Sequence, residues 1–448
     1  MGVVVVFAGL SHLFVTVFLH YSATFMVTPA ITDVTMSALC PSMDECSIAI
    51  YLSGFQQAII GLGTLVMMPI IGNLSDEYGR KTLLALPMIL TIIPLAILAY
   101  RRTKQFFYAY YVLRILTSML CEGSIQCLSL AYVADNIPEG RRASAFGILS
   151  GIVSIAFICG TLTARFLSTA LTFQVSAAVA VVAALYMKVF LRDSIGGIDA
   201  ASLRKISKKT NNVVVHLDDD SSRKIQLFSR IPSVKEILYL LRISPTFSQA
   251  AVVAFFNNLA EGGLQSCLLY FLKSRFHFSK DQFADLLLIS GFAGAISQLL
   301  LMPILAPLLG EEKLLMIGLF ASCTHMFLYA IAWSSWVPYV ASMFSILFVF
   351  APPSLRSIAS KQVGPTEQGK AQGCLSGICS FANIISPLAL TPLTALFLSK
   401  NAPFHFPGFS IMSIGISLLI AFIQSTMIRV APPISSHKIS SNSNHMEA

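Results

Sequence analysis

Apolar residues run through the chain in long blocks, and polar residues collect in the gaps between them. Twelve such blocks stand out, roughly at 5–28, 49–71, 82–100, 107–131, 144–166, 170–191, 247–271, 283–306, 314–333, 336–355, 371–397 and 408–428. About 20 apolar residues suffice to cross a bilayer as a helix. Lipid offers the backbone no hydrogen-bond partners, so each block is expected to satisfy its own amides as an α-helix. The expected fold class is therefore an all-α membrane protein with twelve transmembrane helices. The first block lacks a basic n-region and is too long for a signal peptide, so it reads as a true span.

Composition sharpens this picture. Of 448 residues, 55% are hydrophobic and 11% charged, against about 25% charged in soluble domains. Mean hydropathy is +0.75. The net charge of +9 thus concerns topology, not nucleic acid, and what matters is where Lys and Arg fall. An even number of spans puts both termini on one side. Most of the 30 Lys and Arg flank one face if that side is the cytoplasm. The bias comes mainly from 188–242, and Arg101, Arg102 and Lys104 dissent. Cys40 and Cys46, in "CPSMDEC", share one loop on the opposite side, where a disulfide is stable. A bridge and two free thiols stand equal there. Two thiols without further ligands make no zinc site.

A polar segment divides the spans six and six. The expected organisation is an N-terminal bundle at 1–191, a cytoplasmic linker at 192–244, a C-terminal bundle at 245–430 and a disordered cytoplasmic tail at 431–448. The linker holds Asp218, Asp219 and Asp220, read as solvated charge, and "VKEILYLLRI", read as a short amphipathic helix or a lead-in to span seven. The halves are related. "AFGILSGIVSIAFI" (145–158) and "AQGCLSGICSFANI" (371–384) agree at nine of fourteen positions, 226 residues apart. Both open a span in the same orientation, which implies two parallel six-helix repeats with a site between them near the midplane.

The gap between spans two and three reads "GNLSDEYGRK", Gly72 to Lys81. Gly72 and Gly79 permit a tight corner. Asp76 and Arg80 stand at i and i+4, so a helical turn would put them on one face. Near the start of a helix, Asp76 would also meet its positive end. A charge cluster at such a corner can latch two helical units in one state and release them in another. The plainer reading is positive-inside anchoring. The loop resembles the signature G-x-L-x-D-x-x-G-R-K of the major facilitator superfamily. "AYVADNIPEGRRASAFG" (131–147) is similar to the end of span four and start of span five in that superfamily, closest to its tetracycline-resistance-like and hippocampus-abundant-transcript-like branch. The resemblance covers the whole chain in architecture and about 30 residues in motif. It implies a major facilitator fold in which Asp76, Arg80 and Asp135 form a gating cluster that stabilises the outward-facing state. The sequence departs from the pattern in places. The second-half copy, "PILAPLLGEEK", keeps Gly310 and Lys313 but not the acid. Thr161 stands where span-five antiporters carry proline, Arg165 follows near the end of that span, and span one has His20 in place of an acid, with Asp33 beyond the membrane.

Charges inside spans cost about 2.5–3.5 kcal/mol at the centre on insertion scales, so they face a cavity or a partner. Arg114 and Glu122 lie in span four, eight residues apart, roughly 80° around a helix. The resemblance implies a functional arginine at Arg114. Asn258, Glu261 and Gln265 form one stripe on span seven, and Gly262 and Gly263 follow the acid, where the helix can open. The resemblance implies that spans one, four, seven and ten line the central cavity. Glu261, Glu122, Arg114, Asn258, Gln265 and His20 are accordingly candidates for substrate binding or proton coupling, each against the alternative of a paired, packed residue. His325 reads as packing, and Asn383 as a helix–helix hydrogen bond. No G-x-S-x-G, H-E-x-x-H, Walker A or dinucleotide fingerprint occurs. No enzymatic activity, cofactor, metal or nucleic acid is expected. The expected partners are a small-molecule solute, protons as a coupling ion, and membrane lipid. The leading expectation is a secondary active transporter working by alternating access. The alternative is a transporter-like receptor or scaffold that binds without turnover.

Overall fold

The computed structural model describes residues 2–39, 47–192, 242, 244–278, 280–364, 367–398, 402–403 and 406–428. The Cys40–Cys46 loop, nearly all of the linker and the tail lie outside the described residues. Within them every regular element is a helix. In the first half these are α1 (Gly2–Leu39), α2 (Ser47–Tyr78), α3 (Arg80–Leu90), α4 (Ile92–Tyr100), α5 (Lys104–Cys121), α6 (Ser124–Asn136), α7 (Arg142–Phe166) and α8 (Thr169–Phe190). The second half holds α9 (Pro245–Phe276), α10 (Lys280–Ile296), α11 (Met302–Leu309), α12 (Glu311–Ala330), α13 (Val337–Ser342), α14 (Ser345–Phe348), α15 (Ala351–Lys361), α16 (Gln368–Leu398) and α17 (Phe409–Thr426).

The starts and breaks follow local chemistry. Helix α9 begins where the Ser244 hydroxyl accepts the Phe247 N–H at 3.1 Å, with Pro245 at the first turn. The serine cap satisfies a first-turn N–H, and proline there lacks only an N–H that would find no intrahelical acceptor. The rod from α10 to α11 carries a π turn at Ser297–Leu301 just before Pro303. Proline removes one amide donor and crowds the preceding turn, which widens there. The expected span at 336–355 is built from α13, α14 and α15, broken at 343–344 and again at 349–350 just before Pro352 and Pro353, and it continues to Lys361.

Ten of the described helical stretches are long and apolar enough to cross a membrane. The two expected spans not among them are α5–α6 and α9. They hold Arg114 and Glu122, and Glu261, so the hydropathy deficit and the functional candidates coincide.

Buried apolar side chains segregate by half. One cluster lies wholly within 247–428, around Phe247, Phe271, Leu319 and Ile414. Two lie within 10–191, around Leu13, Phe146, Phe107 and Phe173. A smaller cluster joins the halves, setting Ala143 against Met302, Ala306, Leu314 and Phe350. The seams between halves are the α2–α16 and α7–α10/α11 pairs. Along the first, Gly72 meets Gly369, Gly373 meets Met68, and Gly377 meets Pro69. A Cβ on Gly72 would strike the Gly369 carbonyl, so glycine is required by backbone approach. Along the second, Gly147 meets Met302 and Gly151 meets Leu299. These contacts pack the halves together at the end that carries the Gly72–Lys81 corner.

Candidate functional site

The corner is built from three elements. Helix α2 ends at Tyr78, and Gly79 turns the chain with φ 91°, a backbone region L-residues rarely occupy. Arg80 then starts α3, buried at 3% exposure. Its Nε donates to Asp135 Oδ2 at 2.9 Å and its Nη2 to Asp135 Oδ1 at 3.4 Å, a two-pronged pair with the end of α6. Its Nη2 also pairs with Asp76, and Nη1 donates to the Ser75 hydroxyl. Buried charges persist only when paired in this way. The structure thus brings together Asp76, Arg80 and Asp135, the three residues expected to cluster, and adds Ser75.

Asp76 does something the sequence did not indicate. It was expected near the positive end of its own following helix. Instead it stands in the last turn of α2, and the helix end it meets belongs to the other half. Asp76 Oδ1 accepts the Gly369 N–H and Oδ2 the Lys370 N–H, both at 2.8 Å. These are orphan donors in the first turn of α16, where the helix dipole favours negative charge. One carboxylate therefore ties Arg80 in the first half to α16 in the second.

Deeper in the molecule lie the remaining charges. Arg114 Nη1 donates to the Tyr110 hydroxyl at 2.7 Å. The roughly 80° separation from Glu122 holds, because α5 is unbroken between them and Glu122 caps it, its N–H donating to Ser118 O at 2.9 Å; the chain turns only after that residue. Helix α5 stops at Cys121, Glu122 is extended, and Gly123 has φ 81°. Glu122 is exposed and lies beside Gln57, within electrostatic reach of Arg114. Glu261 and Gln265 are also exposed on α9, and Glu261 has protein around it, as expected of a side chain lining an internal opening. Asn258 Nδ2 donates to Ala254 O at 2.9 Å and to Cys379 Sγ at 3.1 Å, tying α9 to α16. Gly262 and Gly263 do not interrupt α9. They let it pack closely on Asn383, Ser386 and Leu390.

His20 is buried and packs edge-on against Tyr21, ring centroids 5.5 Å apart. His325 is buried between Tyr329 and Phe348, away from the charged residues. Helix α7 runs unbroken through Thr161, and Arg165 lies exposed at its end. A cavity of about 390 Å³ between α12, α14 and α17 is lined by Phe320, Phe344, Leu347 and Phe422 and carries no ionisable group. It is a packing groove, not a site for this chemistry. Among the described residues no group of three His, Cys, Asp or Glu is placed to hold a metal ion.

The sequence model of the Major Facilitator Superfamily matches residues 13–387. The chain belongs to the major facilitator superfamily. That places it among multi-pass membrane carriers of solutes, not among enzymes. The human hippocampus abundant transcript 1 protein is 21% identical over 380 residues, covering 84% of this chain and 71% of that one. The class E tetracycline resistance protein of Escherichia coli is 24% identical over 339 residues, covering 75% of this chain and 76% of that one. The crystal structure of the human organic anion transporter MFSD10 aligns with a TM-score of 0.72 at 17% identity, covering 93% of this chain and 98% of that one.

Within this major facilitator fold the second-half corner is more complete than its sequence suggested. Gly310 has φ 82° and ψ 158°, close to Gly79 at φ 91° and ψ 147°. The next residue is Glu311 where the first half has Arg80. Glu311 Oε2 pairs with Lys361 Nζ at 2.9 Å, and Oε1 accepts the Ser357 hydroxyl at 2.8 Å. Lys361 follows Asp135 by 226 residues, the shift of the repeat. The second corner is thus the first with its charges inverted. Its ion pair stays within its own half, and beside it Ala143 crosses with an apolar contact and Arg142 with a polar one. Extending the repeat alignment back by ten residues would have found Lys361, while Glu311 follows Arg80 by 231 residues and needs the match of Gly310 to Gly79.

Two further arginines escaped the sequence reading. Arg142, at 6% exposure, donates from Nη1 to Ser360 O at 3.2 Å and Ser360 Oγ at 3.1 Å, a second link between halves. Arg356 lies inside a span that hydropathy alone ended at residue 355.

Proposed function

We propose that this chain carries a small organic solute across a membrane by alternating access, and that the structure represents the outward-facing state. One observation carries the reading: a single carboxylate, Asp76, fastens the first half to the N-terminus of α16 at one end, while Glu122, Glu261 and Gln265 stand exposed mid-molecule. The distribution of Lys and Arg assigns the fastened end, and both termini, to the cytoplasm. Opening to that side requires Asp76 to leave the Gly369 and Lys370 amides. The Arg80–Asp135 pair lies within the first half and keeps the corner formed while that happens.

Coupling to protons fits the same frame. Glu261 and Glu122 are carboxyls from opposite halves that line the opening, so each can load a proton in one state and release it in the other. The test is counterflow of a radiolabelled solute panel into proteoliposomes, with and without a pH gradient, for wild type and Glu261→Gln. Flux that follows the gradient, and loses that dependence in Glu261→Gln, is the expected result. Flux indifferent to both would leave a facilitator. Saturable binding without flux would favour a receptor or scaffold.

A further inference from the structure

The floor of the central opening holds a cation whose donors are partly unspent. Arg356, on α15, is half-buried. Its Nη1 donates to Gln372 Oε1 at 3.1 Å and to Ser376 Oγ at 3.2 Å. The Gln372 amide returns a bond to the Arg356 carbonyl at 3.3 Å. Gln372 is fully buried and Ser376 nearly so, so one arm of the guanidinium is clamped to α16. The Nε and Nη2 groups make no hydrogen bond among the described residues. A guanidinium presents its donors as a planar fork, and here part of that fork is left open.

Helix α16 serves as a ruler for what surrounds it. Residues 372, 376, 379 and 383 share one face. From the fastened end upward that face meets Arg356, then Asn258 at Cys379, then Gly262 at Asn383. Ser376 to Cys379 is about 4.5 Å along the axis, so Arg356 stands roughly one turn below the polar stripe that includes Glu261. Tyr21 of α1, Cys127 of α6 and Glu261 of α9 all lie within electrostatic reach of the guanidinium. Both halves therefore face it. Below this level the seam is shut by Gly72 against Gly369, and at it by Met68 against Gly373 and Pro69 against Gly377.

The charges nearby are matched unequally. Glu122 has Arg114 within its own half, and the acid facing Arg356 from its own half is Glu261. A planar carboxylate takes an arginine fork with two parallel hydrogen bonds, stronger and more directional than a neutral acceptor offers. We propose that the carried solute is an organic anion whose carboxylate docks on the open fork of Arg356, and that Glu261 is the resident counter-ion it displaces. This rests on the carrier reading above, but its test does not need flux.

Cys379 is a partly exposed thiol one turn from Arg356 and serves as the reporter. In the purified full-length chain, its rate of modification by anionic methanethiosulfonate ethylsulfonate is compared with that by the cationic trimethylammonium analogue, with Cys379→Ser giving the background. The anion-to-cation rate ratio should fall about tenfold in Arg356→Gln and rise in Glu261→Gln, the size of effect a focused charge has on local ion concentration. Benzoate should protect Cys379 from N-ethylmaleimide, and benzamide, its uncharged counterpart, should not. If Arg356→Gln does not yield a monodisperse protein, Arg356→Lys replaces it: the rate ratio should stay within about twofold of wild type while protection by benzoate drops. An unchanged ratio in Arg356→Gln, no protection by benzoate, or equal protection by benzamide would overturn the proposal. Charge-selective protection without flux for any solute would sink the carrier reading and leave the anion site standing.

Discussion

Replacing Asp76 by Asn removes one charge from the contact that joins the halves. The carboxylate accepts two backbone N–H groups at 2.8 Å. A hydrogen bond to a charged acceptor contributes about 1.5–3 kcal/mol, and an anion in the first turn of a helix adds about 0.3–1 kcal/mol. Asn keeps one carbonyl oxygen and turns an NH2 group toward the second amide. The closed end therefore loses one charged bond and the dipole contribution, about 2 kcal/mol at the low end. Screening is weak, because the Asp76 side chain is 8% exposed. Two kcal/mol corresponds to about a 30-fold change in the ratio of closed to open molecules. The assay is a distance measurement by electron–electron resonance between labels at Gly140 and Gly364. These positions lie in the loops before α7 and α16, one in each half, where an added side chain meets open space. Asp76→Asn should shift the distribution toward a longer distance and slow transport while leaving expression intact. Glu312→Gln, in the charge-inverted corner but outside its ion pair, is the control and should leave the ratio within about twofold. A closed population changed by less than about threefold in Asp76→Asn would refute the reasoning.

Three further outcomes follow from the same contacts. Arg80→Gln leaves Asp135 buried without its partner and should cost about 3–5 kcal/mol, read as a lowered melting temperature in detergent; Arg80→Lys, with charge but no fork, should fall between it and wild type. Gly72→Ala drives a Cβ into the Gly369 carbonyl and should open the fastened end by about 1–3 kcal/mol, seen as a longer Gly140–Gly364 distance with no loss of expression. Glu311→Lys and Lys361→Glu should each destabilise the second half, and the double variant, which restores the first-half polarity, should recover at least half of the combined loss in a thermal melt.

Much of the architecture was legible because hydropathy is local. A span needs about 20 apolar residues in a row, and that can be counted. The repeat was legible because 145–158 and 371–384 keep the same residues in the same register. The first-half corner was legible in part. The i, i+4 spacing of Asp76 and Arg80 is a local property, and their pairing holds even though Gly79 breaks the helix between them.

What the sequence could not supply were partners remote along the chain. Asp76 finds its amides 293 and 294 residues away, because a helix end offers free N–H groups to whatever the packing brings near. Arg356 lies one residue past the apolar run at 336–355, and apolar runs are scored without regard to which side chains face inward. Only packing against Gln372 and Ser376 places it inside. The break in span four after Glu122 went unseen because Gly123 takes a left-handed backbone, a choice glycine permits but does not dictate. Local chemistry determined where the helices run and which corner turns tightly. Tertiary structure decided which carboxylate fastens one half to the other and which arginine is left with open donors, because both depend on which helix ends and faces the folded chain brings together.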